Sequence, residues 1–184
     1  MIGLALFIYG WVMALLTIFK PFVAIGLVWG YASHRTRVVS LIPFNDAMVG
    51  ESLRAMLFGY GGNFIFFVPF GLLVYALLQG PVRAGGGLGR AGLGGRDRLL
   101  RRSSFPLLKT TLVGAGVSIA IEITQYIFWL GYTDIDDVTF NTLGAFVGAL
   151  MAKAAGSRAY GLWVALAIAV AVVFLALVIL GPRI

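Results

Sequence analysis

The sequence predicts an all-α fold, a polytopic transmembrane helix bundle of about five spans with an interfacial amphipathic helix. The chain has 184 residues, of which 60 % are hydrophobic and 11 % charged, with mean hydropathy +0.98. One water-soluble core of this length cannot hide that much apolar surface, so lipid must solvate much of it. The apolar residues fall in runs long enough to cross a bilayer, separated by short polar segments. The net charge of +7 is concentrated between these runs, where it marks orientation and not a nucleic-acid surface.

The first run, Ile2 to Ala32, is interrupted only by Lys20-Pro21. As a helix it would reach about 46 Å against a hydrocarbon core of about 30 Å, which predicts one tilted or kinked span with an exposed end. A split at Lys20 leaves Pro21 to Ser33 too short to cross, although long enough for a re-entrant piece. Met1 to Gly10 lacks a basic leading region, and no Ala-x-Ala site follows the apolar run, so this segment is expected to be retained.

From His34 to Gly62 the chain is more polar, and Val49, Leu53, Met56, Leu57 and Tyr60 recur at helical spacing opposite Glu51, Ser52 and Arg54. That pattern predicts a short helix lying at the membrane interface. The second span is Asn63 to Gln79, with Pro69 and Gly71 inside it. Such breakers persist in a membrane helix where neighbours re-satisfy the backbone, so this span is expected to be packed and not peripheral.

Gly80 to Ser104 is a glycine-arginine linker in which Arg83, Arg90, Arg96, Arg98, Arg101 and Arg102 face only Asp97. The positive-inside rule makes it cytoplasmic. Within it Gly87 to Gly92 spells G-x-G-x-x-G, but no strand precedes it and glycine is abundant, so the linker reading prevails over a dinucleotide site. The third span runs from Pro106 to Leu130, an acidic turn holds Asp134, Asp136 and Asp137, and the fourth span covers Val138 to Ala154. Lys153 and Arg158 mark a second cytoplasmic turn before the last span, Tyr160 to Leu180. Alternation places the N-terminus in the cytoplasm and both His34–Gly62 and the acidic turn outside, with Arg35, Arg37 and Arg54 running against the rule. Residues 1–158 form one transmembrane domain with a motif-bearing core at 37–148, and 159–184 a C-terminal anchor helix.

Cysteine is absent, which excludes disulfides, thiolate metal sites and cysteine nucleophiles. Glu122 is the most informative position, because an ionisable side chain within an apolar helix costs about 2.5 kcal/mol or more and faces protein or water. Gly114, Ser118, Gln125 and Tyr126 share its face at i±3 and i±4 spacings. The fourth helix carries a second stripe, Asp137, Asn141, Gly144, Gly148 and Ala152, whose Gly-x-x-x-Gly permits close backbone approach. The two stripes are expected to meet. With Asn63 at the same level, they predict a polar pocket at the outer end, with binding candidates Asn63, Glu122, Gln125, Asp134, Asp137 and Asn141.

Plainer roles compete. The aspartates precede a helix, where carboxylates cap free N–H groups. Glu122, Gln125 and Asn141 also suit an interhelical hydrogen-bond clamp. Asp134, Asp136 and Asp137 supply oxygens suited to magnesium or calcium, but their spacing matches no ligand signature, so neither a metal nor another cofactor is expected. Ser118 has no histidine partner in this topology, and His34 is assigned no role.

Four blocks occur in order: Ser40-Leu-Ile-Pro-Phe44; Asn63-x-x-x-Phe67-x-Pro69-x-Gly71; Ser118-x-x-x-Glu122-x-x-Gln125; and Asp134-x-x-Asp137-Val138-x-x-Asn141-Thr142-x-Gly144. In this the chain resembles the VanZ-like family. It departs from the family pattern at Ser40, where asparagine is common, and at Gly131, where an arginine is frequent. The resemblance implies a multi-pass protein of the bacterial cytoplasmic membrane, in a family whose founding member is associated with low-level teicoplanin resistance. The expected partners are membrane lipids and a lipid-linked cell-wall precursor or glycopeptide, with no nucleic acid. Binding of such an envelope molecule is the preferred function. The alternatives are an enzyme acting on lipid-linked phosphate or sugar, with Glu122 and Asp137 as catalytic candidates and the Asp134–Asp137 turn holding a divalent ion, and a structural partner docking through Gly144 and Gly148.

Overall fold

The computed structural model describes residues 1–18, 37–48, 53–79 and 105–180. The Lys20-Pro21 interruption, the stretch 21–33, His34, Arg35, Val49, Glu51, Ser52 and the 80–104 linker, including its glycine motif, lie outside the described residues. In order the elements are α1 (Ile2–Ile18), β1 (Arg37–Ser40), α2 (Asn45–Met48), α3 (Leu53–Gln79), α4 (Pro106–Phe128), β2 (Gly131–Asp134), α5 (Ile135–Ala155), a 3-10 turn (Ser157–Ala159) and α6 (Tyr160–Leu180). Among the described residues four helical stretches are long and apolar enough to cross a membrane, namely Gly59–Gln79, Pro106–Phe128, Ile135–Ala155 and Ser157–Ala176, and α1 is a shorter apolar helix. The expected bundle is therefore present: this is a multi-pass membrane protein.

Two features differ from the sequence reading. The interfacial helix is not a separate element from Leu53 onward, because α3 continues without a break from Leu53 through Gly59, Gly61 and Gly62 to Gln79. In a low-dielectric environment each backbone N–H and C=O needs an internal partner, and that requirement carries a helix through glycines that would end it in water. The second feature is a strand pair. β1 and β2 are parallel, with Arg37 opposite Gly131 and Ser40 opposite Asp134. Pairing between segments so distant in sequence leaves no local periodicity to read.

α3 is the most enclosed span and α6 the most exposed. From Phe66 to Ala76 only Val68 on α3 escapes full burial, and Pro69 sits within this stretch, as the packed position of the second span predicts. α1 runs antiparallel to α3: Tyr9 Oη donates to the Phe66 carbonyl at 2.7 Å, and Gly3 lies against Leu77. α6 also runs back along α3, with the Phe174 and Phe66 rings 4.1 Å apart. α5 runs parallel to α3 and packs on it through glycine. A Cβ on Gly144 would collide with the Phe64 carbonyl oxygen, one on Gly148 with that of Val68, and one on Gly71 with the Ala145 backbone.

The two stripes meet at Asn141, which touches Ser118, and Gly114 lies against Ala145, while Gly144 and Gly148 face α3. The glycine face is thus consumed within the chain, so it is not the docking surface the structural-partner reading used. Helix direction gathers the N-terminus, Gln79, Pro106 and the 3-10 turn at one end, with Lys109, Lys153 and Arg158. The strands, α2, Trp129 and the acidic start of α5 gather at the other, the strand end.

Candidate functional site

The strand end is built from the acidic turn. Asp134 closes β2 and, with an extended backbone, serves as the N-cap of α5: its Oδ1 accepts from the Asp136 N–H at 2.9 Å. The capping role expected for at least one aspartate is therefore filled by Asp134. Asp136 and Asp137 follow in the first turn, where negative charge complements the helix dipole.

Glu122 reaches this turn from α4. Its Oε2 accepts the Asp134 backbone N–H at 3.0 Å, while Thr133 Oγ1 donates to its backbone carbonyl at 3.4 Å. Glu122 is 3 % exposed and thereby fastens β2 to α4 from a buried position. Asp136, also buried, turns the other way. Its Oδ2 accepts from the Phe44 N–H at 2.7 Å and from Tyr60 Oη at 3.2 Å, joining the Ser40–Phe44 block, α3 and α5 at one carboxylate. Phe44 takes a left-handed backbone, φ 57°, a conformation that costs a non-glycine residue about 1 kcal/mol and that this bond helps hold. Above it Tyr60 and Phe140 stack with centroids 4.8 Å apart, and Phe44 meets both rings edge-on.

One turn deeper lie the amides. Asn141 Nδ2 donates to Ser118 Oγ at 2.8 Å, linking α5 to α4. Asn63 lies a helical turn after Tyr60 on α3, Asn141 directly follows Phe140 on α5, and both amides are buried. Gln125 points to α1, where its Nε2 donates to the Thr17 carbonyl at 3.1 Å. Glu122, Gln125 and Asn141 therefore bond to three different elements, and the interhelical clamp is real in that sense. It leaves capacity unused: among the described residues Asn63 Nδ2, Gln125 Oε1 and Asn141 Oδ1, one each on α3, α4 and α5, have no hydrogen-bond partner, nor has Ser40 Oγ on β1. An unsatisfied buried polar group costs about 1–3 kcal/mol, so several at one end of a bundle call for an explanation.

The predicted residues fall as follows. Asn63, Ser118, Glu122, Asp134, Asp137 and Asn141 gather at the strand end, Asp137 at 9 % exposure, and Gln125 borders them on the α1 side. Among the described residues no three His, Cys, Asp or Glu side chains form a group that could hold a metal ion. The carboxylates of Asp134 and Asp136 diverge, one toward its own helix start and one toward Phe44 and Tyr60. Sequence reasoning missed Tyr60 and the Phe44 amide, and counted Asp136 only as a helix cap or an oxygen donor for metal. The one available hint is that Tyr60 lies a helical turn before Asn63 on the same face.

A model of the VanZ/LLP1 family matches residues 6–156, from α1 to the end of α5, and all four sequence blocks lie inside the match. No curated protein and no solved structure was found to match. A family match over most of the chain, with every block placed in one helical bundle, makes the protein a member of the VanZ/LLP1 family.

Proposed function

We propose that this VanZ/LLP1 member binds a lipid-linked or amphiphilic envelope molecule through the polar layer at its strand end, which faces outward from the bacterial cytoplasmic membrane. The observation that carries the reading is the set of buried, unpartnered polar atoms contributed by Asn63, Gln125 and Asn141 on three helices. A clamp that only held the bundle together uses the nitrogens of Gln125 and Asn141 but gains nothing from the Asn63 amide nitrogen, whose replacement by an apolar group would be close to neutral or stabilising. A ligand with hydroxyl, amide or phosphate groups supplies partners for the unpartnered atoms, and its hydrocarbon stays in the lipid.

The orientation is supported by charge. Lys109, Lys153 and Arg158 lie at the opposite end, where Gln79 and Phe105 flank the arginine-rich segment 80–104 in sequence, and three aspartates lie at the strand end. The N-terminus is then cytoplasmic. Binding a cell-wall precursor at the outer surface, or the glycopeptide itself, would limit drug access to its target and connects this chain to the teicoplanin-resistance association of the family. The carboxylates an enzyme would need for a divalent ion are turned toward the protein's own amides, so binding without chemistry is the simpler reading.

Growth across glycopeptides and lipoglycopeptides tests the reading, comparing a deletion strain with strains complemented by wild type or by Glu122→Gln at equal membrane abundance. Protection by wild type and its loss in the variant is the expected result. Equal growth of deletion and wild-type strains would remove resistance from the proposal.

A further inference from the structure

Between β1 and the span of α3 the chain displays a run of large apolar side chains. Leu41, Ile42, Phe44, Met48, Leu53 and Leu57 are each between 51 and 75 % exposed. Contiguous apolar surface of this kind is rarely left to water, and here its depth is fixed by two contacts. Asp136 in the first turn of α5 holds the Phe44 amide, and the Phe44 ring meets Tyr60 at the start of the α3 span and Phe140 on α5. The segment is therefore tied to the level at which two spans begin, not suspended beyond them.

We propose that the 41–48 segment and the first turns of α3 are embedded in the boundary between headgroups and acyl chains of the leaflet at the strand end, with the lipid monolayer as their partner. Continuity with the lipid-facing surface supports lipid as the occupant. Leu53 and Leu57 start a stripe at i, i+4 spacing that passes Gly61 and continues as exposed Ile65 within the span. At the same end α4 finishes in exposed Phe128 and Trp129, aromatic residues of the type that collect at the membrane–water interface.

The backbone of the segment also suits shallow insertion. Non-helical backbone is excluded from hydrocarbon because its polar groups lack partners. Here Pro43 has no N–H, the Phe44 N–H is taken by Asp136, and the Phe44 carbonyl accepts from the Met48 N–H at 3.2 Å. Leu41 to Phe44 carry no charge. The exposed side chains of Leu41, Ile42, Phe44 and Met48 are apolar, and such surface gains about 25 cal/mol per Å² on leaving water. An amphipathic segment with those properties settles about 5–10 Å into the boundary region. The inference stands whether or not the polar layer binds a ligand.

The absence of native cysteine makes the test clean. Nitroxides placed on Leu41→Cys, Ile42→Cys, Met48→Cys and Leu57→Cys in liposome-reconstituted protein would be compared with Ile168→Cys, which is exposed on α6. Collision with oxygen exceeding collision with a water-soluble nickel chelate, as at Ile168→Cys but by a smaller ratio, is the expected result. Nickel collisions exceeding oxygen collisions would place the segment in water and overturn the proposal. Low collision with both would mean that protein covers it, a second copy or another partner, and would overturn it equally. A second readout uses Leu41→Asp/Ile42→Asp, which leaves the Asp136 contact in place: several-fold greater nickel access at Met48→Cys is expected, and unchanged access would contradict lipid anchoring.

Discussion

The pair α3 and α5 meets twice, and the two meetings are built on opposite principles. Along Gly71, Gly144 and Gly148 the backbones touch, no polar side chain intervenes, and the space is too small for a methyl group. Without a hydrophobic drive inside lipid, such close packing is what holds membrane helices together. Beyond Gly144 toward the strand end, the same helices carry the buried Asn63, Asp136 and Asn141 and the half-buried Tyr60, polar groups only partly matched by one another. A seam that served stability alone would have continued with small or apolar residues. The difference separates a seam explained by packing from a polar layer for which the proposed ligand would supply the missing partners.

The comparison breaks most visibly at the seam. Gly148→Leu drives a side chain into the Val68 carbonyl and to within 2.9 Å of the Leu72 nitrogen even at its Cβ, so a loss of about 3 kcal/mol or more is expected. Membrane abundance and detergent-solubilised melting would report it, with little folded protein recovered. Asp136→Ala comes next. It removes the acceptor of the Phe44 N–H and of one Tyr60 hydroxyl bond, a loss of about 2–3 kcal/mol, accompanied by faster hydrogen exchange across 41–48 than elsewhere. Ser118→Ala removes one interhelical bond to Asn141 and should cost only about 0.6–1 kcal/mol on melting. The smallest effect on stability sharpens the contrast most: Asn63→Leu removes an amide nitrogen that bonds nothing among the described residues, so melting should be unchanged or slightly raised.

Why some of this was legible in the residues, and some not, follows from the range of the interactions. Spans are local: α4, α5 and α6 appear within about three residues of the apolar runs because hydropathy over about 20 residues decides them. The Asp134 cap is local too, resting on an acceptor two residues before the amide it serves. Long-range choices are hidden. Three aspartates in four positions look alike, and what sets Asp136 apart is an amide 92 residues earlier in the chain. The β1–β2 ladder depends on a partner just as remote. The glycine motif of α5 announced a close approach but not to which helix, and Gly71 on α3, the matching small residue, was read as a helix breaker instead.

The most direct test of the polar layer as a binding site measures two quantities on the same pair of proteins, wild type and Asn63→Leu in lipid nanodiscs. Melting gives stability, and titration with teicoplanin and, separately, with a lipid-linked peptidoglycan precursor gives affinity. The account predicts unchanged melting together with at least about tenfold weaker binding of whichever probe the wild type takes, a loss of about 1.4 kcal/mol. Binding by wild type that survives unaltered in Asn63→Leu, or no binding of either probe by wild type, would contradict it.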